Sequence, residues 1–200
     1  MKRLLFTFAV LSFTLVACAP TTPAVQAPAT ESVVASPDVV VEPQGKMPAP
    51  SFESQPYVDE ANGFIIDYPV GWVVKEAVIG ERGSQVVLLS SAEIEEMAVL
   101  PAGATRVALT VNLWDPKNDL DAYVAIRKTA WDASGFTVLS EERLTLDLGL
   151  DAYLFSLQTT EGLTSLNLIT TAGENYLTIS GEGDLELVRE IMSYLRPINP

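Results

Sequence analysis

Residues Ala61–Trp72 read ANGFIIDYPVGW. Phe64, Ile66 and Tyr68 alternate with Ile65 and Asp67, the period of two that puts successive side chains on opposite faces of a strand. Pro69 and Gly71 then supply a turn, because proline fixes φ and glycine tolerates positive φ. The chain leaves that turn in a second strand-like run, WVVKEAVI (Trp72–Ile79). In this reading Phe64, Tyr68 and Trp72 are core aromatics, and the domain opens as a sheet built from neighbours in sequence.

Working outward, the same period recurs. In ATRVALTVNLW (Ala104–Trp114), Val107, Leu109, Val111 and Leu113 alternate with Arg106, Ala108, Thr110 and Asn112, and QVVLLSS (Gln85–Ser91) follows the turn-like GERGS at Gly80–Ser84. The second half holds FTVLSEERLTL, AYLFSLQTT, LTSLNLITTA and ENYLTIS, separated by short turns carrying Gly149, Gly162 and Gly173. Connections this short join antiparallel neighbours, since a parallel pair needs a crossover of about a dozen residues or more. An antiparallel meander is expected.

Two segments carry a helical period instead. NDLDAYVAIRKTAWDASG (Asn118–Gly135) puts Leu120, Tyr123, Val124, Ala130 and Trp131 near one face, with Asn118 or Asp119 as cap and Gly135 as terminator. GDLELVREIMSYLRP (Gly183–Pro197) does the same with Leu187, Val188, Ile191, Met192 and Leu195, between Asp184 as N-cap and Pro197 as stop. The fold class is α+β, an antiparallel β-sheet with two helices packed on it.

The strand led by Asn-Gly-Phe and ended by Tyr-Pro-x-Gly-Trp, with this order of elements, resembles PsbP-like domains, the extrinsic photosystem II protein family and its non-photosynthetic bacterial relatives. The resemblance spans Tyr57–Asn199 and implies an α/β/α sandwich. It implies no activity, because relatives serve as assembly or stabilising factors for membrane complexes. The photosynthetic role depends on basic and histidine residues, and this chain has no histidine and few lysines, so that role is not carried over.

The N-terminus has its own logic. Lys2 and Arg3 precede the uncharged run Leu4–Ala17, a basic region followed by an apolar one shorter than the ~20 residues a membrane-spanning helix needs. Leu15-Val16-Ala17-Cys18 is similar to the lipobox of bacterial lipoproteins. That resemblance implies a signal peptide over residues 1–17, cleavage before Cys18, lipid on its sulfur, and a location in the bacterial cell envelope with the domain on the extracytoplasmic side. The alternative is an ordinary signal peptide in which Cys18, the chain's one cysteine, is incidental. Lipid chains anchor through about 0.8 kcal/mol per buried methylene.

Residues 18–56 hold eight of the thirteen prolines and little side-chain area to bury, so the cost of ordering is not recovered and a tether is expected. Its roughly 38 residues reach about 35 Å as a coil and up to about 120 Å if polyproline-like. The globular domain is then residues 57–200.

Charge and composition restrict the function. The chain has 26 acidic and 12 basic residues, two of the latter being Lys2 and Arg3 in the leader, which opposes binding to nucleic acid. Without histidine there is no Ser-His-Asp or Cys-His catalysis and no ordinary zinc site, and neither G-x-x-x-x-G-K-[ST] nor G-x-G-x-x-G occurs. An enzyme is not expected.

Carboxylates remain. In DPKNDLD, Asp115, Asn118, Asp119 and Asp121 are hard oxygen donors suited to calcium, but without EF-hand spacing, and helix capping is the competing account. The same holds for Glu182, Asp184 and Glu186, while Glu93, Glu95 and Glu96 read as a solvated segment. Trp114, Tyr123 and Trp131 suit either a sugar or peptide groove or the core; Trp114 falls on the polar face of its strand. The leading expectation is a membrane-anchored module that contacts another extracytoplasmic protein without catalysis. The alternatives are a small-molecule or calcium-binding module at Asp115–Asp121 and a hydrolase using two facing acids.

Overall fold

The computed structural model of the protein describes residues 49–79, 84–94, 99–112, 119–146 and 149–198. Cys18, Glu95, Glu96, Trp114, Asp115 and Asn118 lie outside the described residues.

The strand quoted first is β2 (Phe64–Pro69), and it forms a hairpin with β1 (Ser54–Asp59), Tyr57 opposite Ile66 and Asp59 opposite Phe64. A second, larger sheet takes β3 (Val73–Ile79), β4 (Ser84–Ser90) and β5 (Arg106–Asn112) from the first half of the domain. From β5 the chain passes through α1 (Leu120–Ala133) to the far edge at β6 (Thr137–Thr145). The meander β6, β7 (Asp151–Gln158), β8 (Thr164–Ala172), β9 (Asn175–Glu182) then folds back until β9 pairs with β5. The large sheet has the order β3-β4-β5-β9-β8-β7-β6, every neighbour antiparallel. After α2 (Leu185–Ser193), β10 (Arg196–Pro197) returns to the free side of β2 and completes a three-stranded sheet, β1-β2-β10.

Strand alternation divides the interior into two layers. Val87, Leu109, Ile179, Leu168 and Leu154 lie in one cross-strand row. They are buried with Val188, Ile191, Met192 and Leu195 of the α2 segment and with Phe64, Ile66 and Tyr68 of β2. On the opposite face Phe155, Ile169 and Tyr176 are covered by Tyr123, Val124 and Trp131 of α1. The helices therefore sit on opposite faces of the large sheet, and the small sheet shares a face with α2. The α+β reading holds.

Gly181 explains how closely α2 lies: a Cβ there would stand 2.2 Å from Val188 Cγ1, so only a bare backbone admits the helix.

The opening motif also joins the two sheets. Buried Asn62 donates its backbone N–H to Asp59 Oδ1 (3.0 Å) and its side-chain amide to Asp59 Oδ2 (2.8 Å) and Gln85 Oε1 (3.2 Å), and accepts from Asn175 Nδ2 (3.3 Å). Gly63 follows at φ 75°, a value glycine reaches without strain. Arg196 closes the far side with a bidentate pair to Asp67 at 2.8 and 3.0 Å.

Four expectations are corrected. The strands form two sheets, because the β2 hairpin turns over the α2 face rather than extending the large sheet. Pro197 does not stop the last helix: α2 ends at Ser193 with Tyr194 as C-cap, and Pro197 pairs with Phe64. The folded domain includes residues before Tyr57, since β1 starts at Ser54 and Phe52 packs edge-on against Tyr194 at 6.2 Å. Ala130 is exposed, because the buried line on α1 runs through Tyr123, Val124 and Trp131.

Candidate functional site

Of the carboxylates singled out from the sequence, Asp119, Asp121, Asp184 and Glu182 are engaged in local structure. Asp119 is the N-cap of α1, its Oδ1 accepting from the N–H groups of Asp121 (3.0 Å) and Ala122 (3.2 Å), and its carbonyl accepts from Tyr176 Oη at 2.9 Å. Asp121 accepts from Tyr153 Oη at 2.8 Å and lies 3.7 Å from Arg143. That bond raises the Tyr153 phenol above its ordinary range, since it favours the protonated donor. Asp184 caps α2 through the N–H groups of Glu186 and Leu187, both at 3.1 Å, and Glu182 pairs with Arg106 at 3.0 Å. Among the described residues no group of three or more His, Cys, Asp or Glu side chains is placed to hold a metal ion.

The aromatics are structural as well. Tyr123 stacks on Tyr176 at 4.0 Å between ring centroids, and Trp131 meets Phe155 edge-on at 5.0 Å, so both seal α1 to the sheet.

The site that sequence reading missed is the β6 edge of the large sheet. β6 is its edge, and eight of its nine residues are exposed, with only Leu144 half-buried. Its inner side pairs with β7. Among the described residues no other backbone hydrogen bond reaches Thr137–Thr145, so its outer N–H and C=O groups are open. Each helix braces the strand from one face: Lys128 of α1 to Glu141, and Arg189 of α2 to Glu142 at 3.5 Å. These exposed pairs contribute little stability but fix where the charges stand.

Beside the open strand, between α2 and β6–β8, runs a shallow groove of about 680 Å³ lined by Ser140, Ser156, Leu166, Glu186, Arg189 and Glu190 among others. At its rim Glu190 accepts from both the N–H and the hydroxyl of Ser51, each at 2.6 Å, so the chain enters the domain next to the groove. At the head of β6, Val138 and Leu139 are 37 and 52 % exposed, and Leu163 in the β7–β8 turn is 69 % exposed. One end of this edge is apolar and its middle is acidic. The signal in the sequence was the Glu141-Glu142-Arg143 interruption of a strand, the kind of charge placement that guards edges.

Comparison with known proteins bears on the fold. The solution structure of cyanobacterial PsbP (CyanoP) from Synechocystis sp. PCC 6803 superposes with a TM-score of 0.52 over 79 % of this chain and 98 % of that one, at 16 % identity. The fold is PsbP-like. The α/β/α sandwich implied by ANGFIIDYPVGW is thus present, and the Asn62 clasp is what the motif contributes to it. A Pseudomonas aeruginosa protein of unknown function, PA94, superposes with a TM-score of 0.40 over 68 % of this chain and 87 % of that one, at 15 % identity. No family model and no curated protein sequence matches the chain. Among the described residues no helix is long and apolar enough to cross a membrane.

Proposed function

We propose that the chain is a lipid-anchored, extracytoplasmic contact module: a PsbP-like domain, held to the membrane through Cys18 and the proline-rich segment that follows it, that binds another envelope protein and catalyses no reaction. The observation that carries the contact reading is the unpaired β6 edge beside the α2 groove, where backbone polarity, exposed apolar side chains and a concave surface coincide. The lipobox and the proline-rich composition support the anchor and the tether.

Two measurements test it. Cys18→Ser abolishes lipid labelling and releases the chain from the membrane without changing its melting temperature; labelling retained in that variant refutes the anchor. A photo-crosslinking side chain at Leu139 or Arg189 in the native membrane gives one shared adduct, absent when it is placed at Ile126 on the outer face of α1. Equal adducts from all three positions refute the contact face.

A further inference from the structure

Resting on that contact reading, we infer that the β6 edge binds by strand addition and that its occupant is an extended, basic segment of the partner carrying an apolar residue at one end. An open edge supplies main-chain donors and acceptors at the spacing another extended chain requires. The register shift between Val138 and Ser140 bends the strand there and leaves Ser140–Thr145 as the regular run open to pairing. Side chains of an added strand alternate between the α2 face, beside Glu142 and the groove, and the α1 face, beside Glu141. The exposed Val138 and Leu139 at the head of β6 fit the segment's apolar end.

Charge selects the sign of the occupant. Around the edge six acids, Glu141, Glu142, Asp121, Asp151, Glu186 and Glu190, stand with three bases, Lys128, Arg143 and Arg189, and the chain as a whole carries a formal charge of −14. Lys or Arg side chains on the added strand would meet acids on both faces, and opposite charges across a strand pair stabilise it. A second copy of this chain fits less well. The two-fold antiparallel register that sets Glu141 against Arg143 also sets Glu142 against its own counterpart, and it unites two chains of the same strongly negative charge.

The test uses the full-length chain with two synthetic probes, a short peptide of successive Lys residues ending in Val and its counterpart of successive Glu residues ending in Val, so that both faces of an added strand carry charge. Binding is followed by fluorescence anisotropy and by amide hydrogen exchange. The Lys peptide binds, slows exchange in Ser140–Thr145 and leaves the β3 edge unchanged, while the Glu peptide does not bind. In Glu141→Lys/Glu142→Lys, affinity for the Lys peptide falls about tenfold and the Glu peptide becomes the better ligand, as expected for two reversed cross-strand charges. A thermal melt confirms that the variant is folded.

Lys-peptide binding without protection of β6, or with unchanged affinity in the variant, overturns strand addition. So does sedimentation of the free chain as a dimer with β6 already protected. Loss of strand addition while the Leu139 and Arg189 crosslinks persist would leave the contact reading standing and remove only this mode of docking.

Discussion

Replacing Gly181 with alanine adds one methyl group at the point where α2 presses on β9. The new Cβ would lie 2.2 Å from Val188 Cγ1, 2.9 Å from Cγ2 and 3.1 Å from Cβ, against the ~3.5–4.0 Å at which carbon atoms rest. Val188 is fully buried and has no empty side to turn to, so α2 must withdraw by roughly 1.3 Å or more. Withdrawal loosens Ile191, Met192 and Leu195, which share the same layer. Overpacking of this kind costs about 1–3 kcal/mol. Alanine is otherwise the better residue in a strand by about 0.5–1 kcal/mol, so the clash alone makes the sign unfavourable.

At roughly 2–4 °C per kcal/mol for a domain of this size, the midpoint should fall by roughly 2–12 °C in a circular dichroism melt. The decisive comparison is with Val188→Ala. That change opens a cavity and is itself destabilising, but it also makes room for the methyl group, so the double variant should be more stable than the sum of the two single effects by about 0.5–3 kcal/mol. Because α2 carries Arg189 and Glu190, hydrogen exchange at the groove should quicken in Gly181→Ala and return towards normal in the double variant. Additive effects, or a Gly181→Ala protein as stable as the parent, would refute the account of why the helix sits where it does.

Asn62→Ala removes bonds to Gln85 and Asn175 and leaves the buried Asp59 carboxylate short of a donor, which should cost about 1–3 kcal/mol in a urea titration; a cost near zero would deny that the motif clasps the two sheets. Calcium should not raise the melting temperature, because the Asp119 side chain is committed to the α1 cap, and Asp119→Ala should lower stability by about 1 kcal/mol with or without the ion. A saturable calcium-dependent rise lost in that variant would restore the metal reading. Stability should also fall in alkali. Burial and the neighbouring Glu76 push the Tyr57 phenol above its ordinary value, and its bond to Asp121 does the same for Tyr153. A folded-state pKa above the unfolded one stabilises fully below about pH 10 and progressively less as pH rises beyond it. Tyr57→Phe should therefore lose less of its melting temperature between about pH 9 and 11 than the parent, and identical slopes would count against the assignment.

Period and capping made most of the elements legible before any coordinates. Val107, Leu109 and Val111 alternate as a half-buried strand and are buried as such, Asp184 is the N-cap expected of it, and of the two caps open for α1, Asn118 or Asp119, the structure has Asp119. These are local properties, fixed by side chains a few residues apart. Pairing between distant segments is not local. Nothing in FIIDYP says that its open side will be met by Arg196 and Pro197, so the second sheet and the true end of the last helix stayed hidden.

The same reasoning explains why the proposed site was the hardest part to foresee. TVLSEERLT has the residues of a strand, but whether a strand is central or at an edge depends on which segments lie beside it, and β6 reaches the edge only because β9 occupies the place next to β5. Catalytic and metal sites announce themselves through particular side chains at particular spacings. Docking by strand addition uses the backbone, which every residue possesses, and leaves only an indirect trace: acids and an arginine in mid-strand where a buried strand would carry apolar groups. In the proposed docking mode those charges would serve two ends, keeping the edge from pairing with another copy of an acidic chain and leaving it selective for an extended segment of opposite charge.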